Sequence, residues 1–154
     1  MVEDTLIQPN GIAISPDLRT VYISDTGAFD GPIVASVGPQ GFGFNTTGKR
    51  TVYAYDLSSD ATHIGNKRPI YLAQDAVPDG LKVAKNGYVV TAAGQGVDVL
   101  DATGTLLVRV QTNYSVNNFA WTGPDLKTLW LTGIGGVSKV EWDLQGQDLG
   151  KRGY

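Results

Sequence analysis

A nine-residue motif occurs twice in this chain. PDLRTVYIS, Pro16 to Ser24, returns as PDLKTLWLT, Pro124 to Thr132, 108 residues later (124 − 16). In a chain of 154 residues, a near-copy at that distance means one structural unit used more than once, which narrows the choice to repeat architectures. The unit is written in strand chemistry: Thr20-Val21-Tyr22-Ile23 and Thr128-Leu129-Trp130-Leu131 are β-branched and aromatic, and each follows a Pro-Asp turn. The same style continues in TVYAYDL, GLKVA, YVVTAA, GVDVLD, TLLVRV and VSKVEWDL, short runs closed by Gly, Pro, Asn or Asp. No window sustains a helical apolar stripe. The strands fall into sets over 10–74, 79–112 and 118–144. Four-stranded sheets repeating at about 40 residues describe the blades of an all-β propeller, of which this chain supplies about three. An immunoglobulin-like sandwich is the competing arrangement, and it does not account for the near-copy.

Composition excludes more than it assigns. The 20 glycines exceed the usual share of roughly 7%, as many tight turns require. Twelve basic against 15 acidic residues, with no basic cluster longer than Lys67-Arg68, argue against nucleic-acid binding. No apolar run is long enough for a membrane helix. Zero cysteines remove disulfides, thiolate metal sites and a cysteine nucleophile together. Met1-Val2-Glu3-Asp4 lacks the basic start of a signal peptide, whereas the sequons Asn45-Thr46-Thr47 and Asn113-Tyr114-Ser115 are compatible with secretion, so localisation stays open.

Residues 28–50 interrupt the strand spacing. Seven of them are Gly or Pro, and Phe42 and Phe44 stand among them. An insertion of this length is usually functional or disordered. It reads either as a cover over a pocket mouth or as a surface excursion anchored to a sheet edge by its phenylalanines.

Three strand sets open alike: Pro9-Asn10-Gly11-Ile12, Pro78-Asp79-Gly80-Leu81 and Asn117-Asn118-Phe119-Ala120. In a propeller the first strand of each blade lies innermost, so a polar residue entering it points toward the channel. Side chains from separate blades can then meet on the axis. Asn10 offers an amide oxygen and Asp79 a carboxylate, both hard donors of the kind Ca²⁺ or Mg²⁺ takes. Asn-Gly and Asp-Gly after Pro are also ordinary turn chemistry, and that reading stays beside the first.

PNGIAISPDLRTVYISDT, VPDGLKVAKNGYVVTAAGQGVDVLDATGTLLVRV and NNFAWTGPDLKTLWLTG together resemble the C-terminal half of the senescence-marker-protein/gluconolactonase family. These are six-bladed propellers that hydrolyse sugar lactones with a divalent metal. The glycine-rich insertion and the Trp-rich last blade look closest to fungal lactonohydrolase-type members. The resemblance implies metal ligation by Asn10 and Asp79, a general-base role for Asp79, and a tunnel-lining position for Asn118. It implies calcium first, with magnesium, manganese or zinc as alternatives, and a small lactone as partner. It also implies a first-blade Glu and a further Asn that have no matching positions here, since Glu3 and Asp4 lack that context. The expected site is therefore half a site, completed by another half-propeller or by self-association. The other function class is a propeller that binds or scaffolds without catalysis, or a strictosidine-synthase-like one without metal.

Other polar residues read as structural. Asp17 and Asp125 are hairpin-turn residues, and Asp56, Asp98, Asp101 and Asp143 are expected to be solvated or local acceptors in outer turns. His63, the only histidine, sits in a polar stretch expected to be a surface turn, so a Ser-His-Asp triad does not fit. Asp25-Thr26-Gly27 could face the channel mouth. Tyr22, Tyr53, Trp121, Trp130 and Trp142 read as packing between blades.

Overall fold

The structure is a computed structural model, and it describes residues 2–30 and 43–151. The expected cover at Gly31, Gly38, Gly41 and Phe42 lies outside the described residues. Three antiparallel sheets and one short two-stranded sheet make up the fold among the described residues. The first contains β1 (Pro9–Ile14), β2 (Thr20–Asp25), β5 (Thr51–Leu57) and β6 (Ile64–Leu72), with the short pair β3 (Phe29–Asp30) and β4 (Gly43–Phe44) inserted between β2 and β5. The second runs β7 (Pro78–Val83), β8 (Val89–Ala93), β9 (Gly96–Leu100), β10 (Leu106–Gln111), and the third β11 (Val116–Thr122), β12 (Thr128–Gly133), β13 (Gly136–Glu141). These are propeller blades: β1 lies against β7, and β7 and β8 lie against β11. Among the described residues the only helical element is a 3-10 turn at Leu149–Lys151. No described helix is long and apolar enough to cross a membrane.

Burial patterns follow from the stacking. Every residue of β8 and β9 is buried, because both faces of the middle blade are covered. Tyr22, Val52, Ala54 and Tyr71 of the first blade meet Leu81, Val83, Val89 and Leu100 of the second. On its other face, Val90, Ala92, Val97 and Val99 meet Val116, Phe119, Leu129 and Leu131 of the third. Leu129 and Leu131 are wholly buried, and each such side chain contributes about 1.5–3 kcal/mol. The third blade buries one face alone, and the other presents Trp130 at 45% and Val137 at 66% exposure. Trp130 therefore packs against no blade here. Its position in a repeated motif pointed to packing, but no described residue covers its outer face.

The repeat is visible as conformation. Leu18 and Leu126 occupy the same place in the two Pro-Asp-Leu turns, and both adopt positive φ, 60° and 53°. After β13 the chain crosses back beneath the sheets. The Lys85 N–H donates to the Gln145 carbonyl, Ala84 bridges Gly146, and the Gln147 amide donates to the Ile14 carbonyl at 3.0 Å. Gly146 sits where a Cβ would lie 2.5 Å from the Trp121 ring. Ile14 and Ala84 are at the far ends of β1 and β7, so this strap closes the end opposite Asn10 and Asp79.

Candidate functional site

Each innermost strand begins with a β-bulge. The register jumps between Pro9 and Ile12 in β1, between Pro78 and Leu81 in β7, and between Val116 and Asn118 in β11. A bulge turns its residues out of the regular alternation and re-aims a side chain. The residues so turned are Asn10, Asp79 and Asn117, and they converge. The Asn117 amide donates to Asp79 Oδ2 at 2.9 Å, and the Asn10 side chain stands close enough to the Asp79 carboxylate to favour its charged form.

The backbone beneath is packed without slack. Ser24, wholly buried on β2, accepts the Gly11 N–H at 2.7 Å and donates to the Asp79 carbonyl at 2.7 Å, joining two bulges through one hydroxyl. A Cβ on Gly11 would stand 2.6 Å from the Asp79 carbonyl oxygen, and one on Gly80 2.6 Å from Asn118 Oδ1. Glycine is required at both because two blades touch there. Burial raises the Asp79 carboxyl above its ordinary value, opposed by the hydrogen bond from Asn117 and by the nearby polar groups of Asn10 and Gly80.

Asn10, Asp79 and Asn117 line one cleft of about 700 Å³. Phe29 and Phe44, cross-strand partners at the base of the insertion, line it too, as do Asp75 and Arg109. Asn118 takes another place. Its side-chain oxygen accepts the Phe119 N–H at 2.8 Å and lies against Gly80, behind the site.

A model of the SMP-30/gluconolactonase/LRE-like region matches residues 40–135, through Asp79 and Asn117. The chain belongs to this family. The lactonohydrolase oryH of Aspergillus oryzae is 48% identical over 97% of the chain, which covers 32% of that protein. A gluconolactonase from Xanthomonas campestris, of known structure, matches with a TM-score of 0.63 at 27% identity, over 83% of this chain and 35% of its own. Regucalcin from Agrobacterium tumefaciens, described as a calcium-binding protein, matches with a TM-score of 0.72 over 95% of this chain and half of its own. At 18% identity that likeness is one of fold. The chain spans about a third of the length of the curated relatives it matches.

In this SMP-30/gluconolactonase-family chain, the donor set at the bulges suits a hard cation in kind. It holds one carboxylate and two amides, and each amide presents oxygen or NH₂ to the same point by turning over. In number it falls short, because Ca²⁺ takes six to eight oxygens. No group of three or more His, Cys, Asp or Glu residues converges anywhere among the described residues.

The remaining candidates are structural in their contacts. Asp25 is wholly buried, and its carboxylate accepts the Ile7, Gln8 and Gly27 N–H groups at 2.9–3.0 Å. It fastens the incoming N-terminal segment to β2. Glu3 bonds the Thr5 hydroxyl and N–H, which holds its carboxyl down to about 2. His63 shares a hydrogen bond with Thr62 in the exposed turn between β5 and β6. Asp17 accepts the Ser15 hydroxyl and the Arg19 N–H within its turn.

Asp98 departs from expectation. It is wholly buried, because its cross-strand partner Arg109 binds it through two nitrogens, at 2.6 and 2.9 Å, and the Tyr71 hydroxyl donates to it at 2.7 Å. Burial and the Asp98 carboxylate both push the Tyr71 phenol up, so it stays a donor. Sequence reasoning passed over Arg109 and read Asp98 as a solvated or local acceptor, although their places in strand-like runs, in apolar company, carried the signal.

Asn117 was also passed over, for a countable reason. In the first blade Ile14 pairs with Val21, whereas in the third Trp121 pairs with Leu129, one residue further along. The extra residue is Gly123, at φ +86°. Alignment on the shared Pro-Asp-Leu turn therefore carries Asn10 onto Asn118, while the pairing register carries it onto Asn117.

Proposed function

We propose that this chain supplies part of the active site of a metal-dependent lactone hydrolase. The observation that carries the reading is the convergence of Asn10, Asp79 and Asn117 from three bulged inner strands, in a family whose relatives include proteins named lactonohydrolase and gluconolactonase. Asn10, Asp79 and Asn117 would hold a divalent ion, calcium first. When bound, such an ion polarises a lactone carbonyl and stabilises the developing oxyanion. Asp79 accepts a proton from the attacking water at its carboxylate, for which a raised affinity for protons is an advantage. The amides of Asn10 and Asn117 orient that carboxylate, and Phe29 and Phe44 give the cleft an apolar wall that limits water.

The missing oxygens come, on this reading, from blades beyond this chain. The bare face at Trp130 and Val137 is where a further blade would stack. The test uses the propeller completed by its other half. Asp79→Asn is expected to abolish hydrolysis of small sugar lactones in the presence of Ca²⁺, Mg²⁺, Mn²⁺ or Zn²⁺, while Asp17→Asn stays within about twofold, the scale of an exposed turn contact. Equal, mild losses from both substitutions would favour a binding propeller without catalysis.

A further inference from the structure

We propose that Arg109 and Asp75 form a clamp that positions Asp79; the proposal rests on the site reading above. The connection from β6 to β7, residues 73–77, crosses from the outer strand of one blade to the innermost strand of the next and delivers Asp79. Ala73 donates its N–H to the Arg50 carbonyl at 3.0 Å, but Gln74–Val77 show no backbone–backbone hydrogen bond among the described residues. Three lateral contacts hold them instead. The Arg50 guanidinium donates to the Gln74 carbonyl at 3.2 Å, the Arg109 Nη1 donates to the Asp75 carboxylate, and Ala76 presses on Gly94, where a Cβ would stand 2.9 Å away.

The Arg109 contact differs from an ordinary surface ion pair. Asp75 has an exposed side chain, and an exposed pair normally contributes little because two long side chains must be ordered to make it. Here Arg109 is already immobile, gripped through two nitrogens by a carboxylate with no exposure. Tyr71, near the end of β6, holds that carboxylate in turn. The contacts thus close a loop from β6 through β9 and β10 back to the connection. Keeping Asp98 buried carries a desolvation cost, and the guanidinium it fixes points its free edge at the segment that carries Asp79.

Displacement at Asp75 is transmitted along the connection. Val77 is restricted by the following proline, Pro78 has a fixed φ, and Gly80 is wedged against Asn118. A shift of Asp75 therefore moves Asp79 relative to Asn117. Arg109 is a positioning residue in this scheme.

Asp75→Asn and Asp75→Ala separate positioning from charge, since the amide still accepts from Arg109 and alanine does not. Two measurements decide: the side-chain amide resonances of Asn117 in the metal-free chain, and calorimetric titration of the propeller completed by its other half with Ca²⁺ alone. The expected result is that Asp75→Ala shifts the Asn117 amide pair and weakens Ca²⁺ tenfold or more. Asp75→Asn leaves the amide pair in place and Ca²⁺ within twofold, and both melt within about 2 °C of the parent. Unmoved Asn117 resonances in Asp75→Ala would overturn the clamp, and so would equal weakening of Ca²⁺ by both variants, which marks a field effect. If the completed propeller with the parent sequence binds no Ca²⁺, the metal reading fails while the Asn117 resonances still decide the clamp.

Discussion

Asp25 offers a test of how the N-terminal segment is held, with a magnitude that can be worked from its contacts. Its carboxylate has no exposure and accepts three backbone N–H groups, Gln8 and Gly27 on Oδ1 and Ile7 on Oδ2, while Lys49 Nζ stands 4.0 Å from Oδ2. A hydrogen bond to a charged group contributes about 1.5–3 kcal/mol, so three set an upper bound of about 4.5–9. Two corrections reduce it. Ile7 is 57% exposed and Gln8 is exposed, so water replaces the acceptor for both once the carboxylate is gone. Removing a buried carboxylate also returns its desolvation cost, several kcal/mol. The net expectation for Asp25→Ala is a loss of about 3 kcal/mol. Asp25→Asn keeps Oδ1 but turns an NH₂ toward the Ile7 N–H, so about 2 kcal/mol is lost. At about 2–4 °C per kcal/mol for a domain of this size, the alanine variant melts about 6–12 °C lower. Urea unfolding gives the free energies, and limited proteolysis reports release of residues 2–8 independently. An Asp25→Ala protein within about 0.5 kcal/mol of the parent, its N-terminal segment still protected, would refute the reasoning.

Gly11→Ala should separate the first two blades, because its Cβ meets the Asp79 carbonyl and the Leu81 N–H, both at 2.6 Å. A loss of about 2–4 kcal/mol in urea, like other overpacked or strained sites, is expected together with weaker Ca²⁺ binding. Asp79→Asn carries a signature in pH. Burial raises the Asp79 carboxyl in the folded state, so its contribution is fully present below the unfolded value of about 3.9 and is lost as pH rises through the higher folded value. Metal-free parent protein should therefore lose stability across that window relative to Asp79→Asn, and parallel stability curves would contradict the burial.

The fold was legible because strand chemistry and a repeated turn point the same way. TVYIS and TLWLT alternate as strands must, and Pro-Asp-Leu closes both hairpins in one conformation. Asn10 and Asp79 stood out since each lies between a proline and a glycine at the start of a strand. What stayed hidden depends on pairing register. One glycine in a hairpin moves the third amide from Asn118 to Asn117 with no change in the surrounding residue types. Asp98 looks like any aspartate near a turn until β10 sets Arg109 opposite it and β6 brings Tyr71 across from the neighbouring blade. Asp25-Thr26-Gly27 was read toward the channel mouth because it follows the second strand of the first blade; Thr26 does line the cleft, whereas the N–H groups of Ile7, Gln8 and Gly27 surround the Asp25 carboxylate.

The strap at 144–147 is expected to order the events of folding. Its contacts reach Ala84 and Lys85 in the second blade and Ile14 in the first, the last across 133 residues of chain. Closing so long a loop has an entropic cost that is recovered once both ends have a surface to meet. The strap therefore docks after the sheets it joins, as a late step that slows unfolding more than it speeds folding. The Lys85 and Gly146 amides, whose acceptors lie on Gln145 and Leu126, become local clocks for that last step. Their hydrogen exchange reports the opening of the strap, while the amides of β8 report global unfolding.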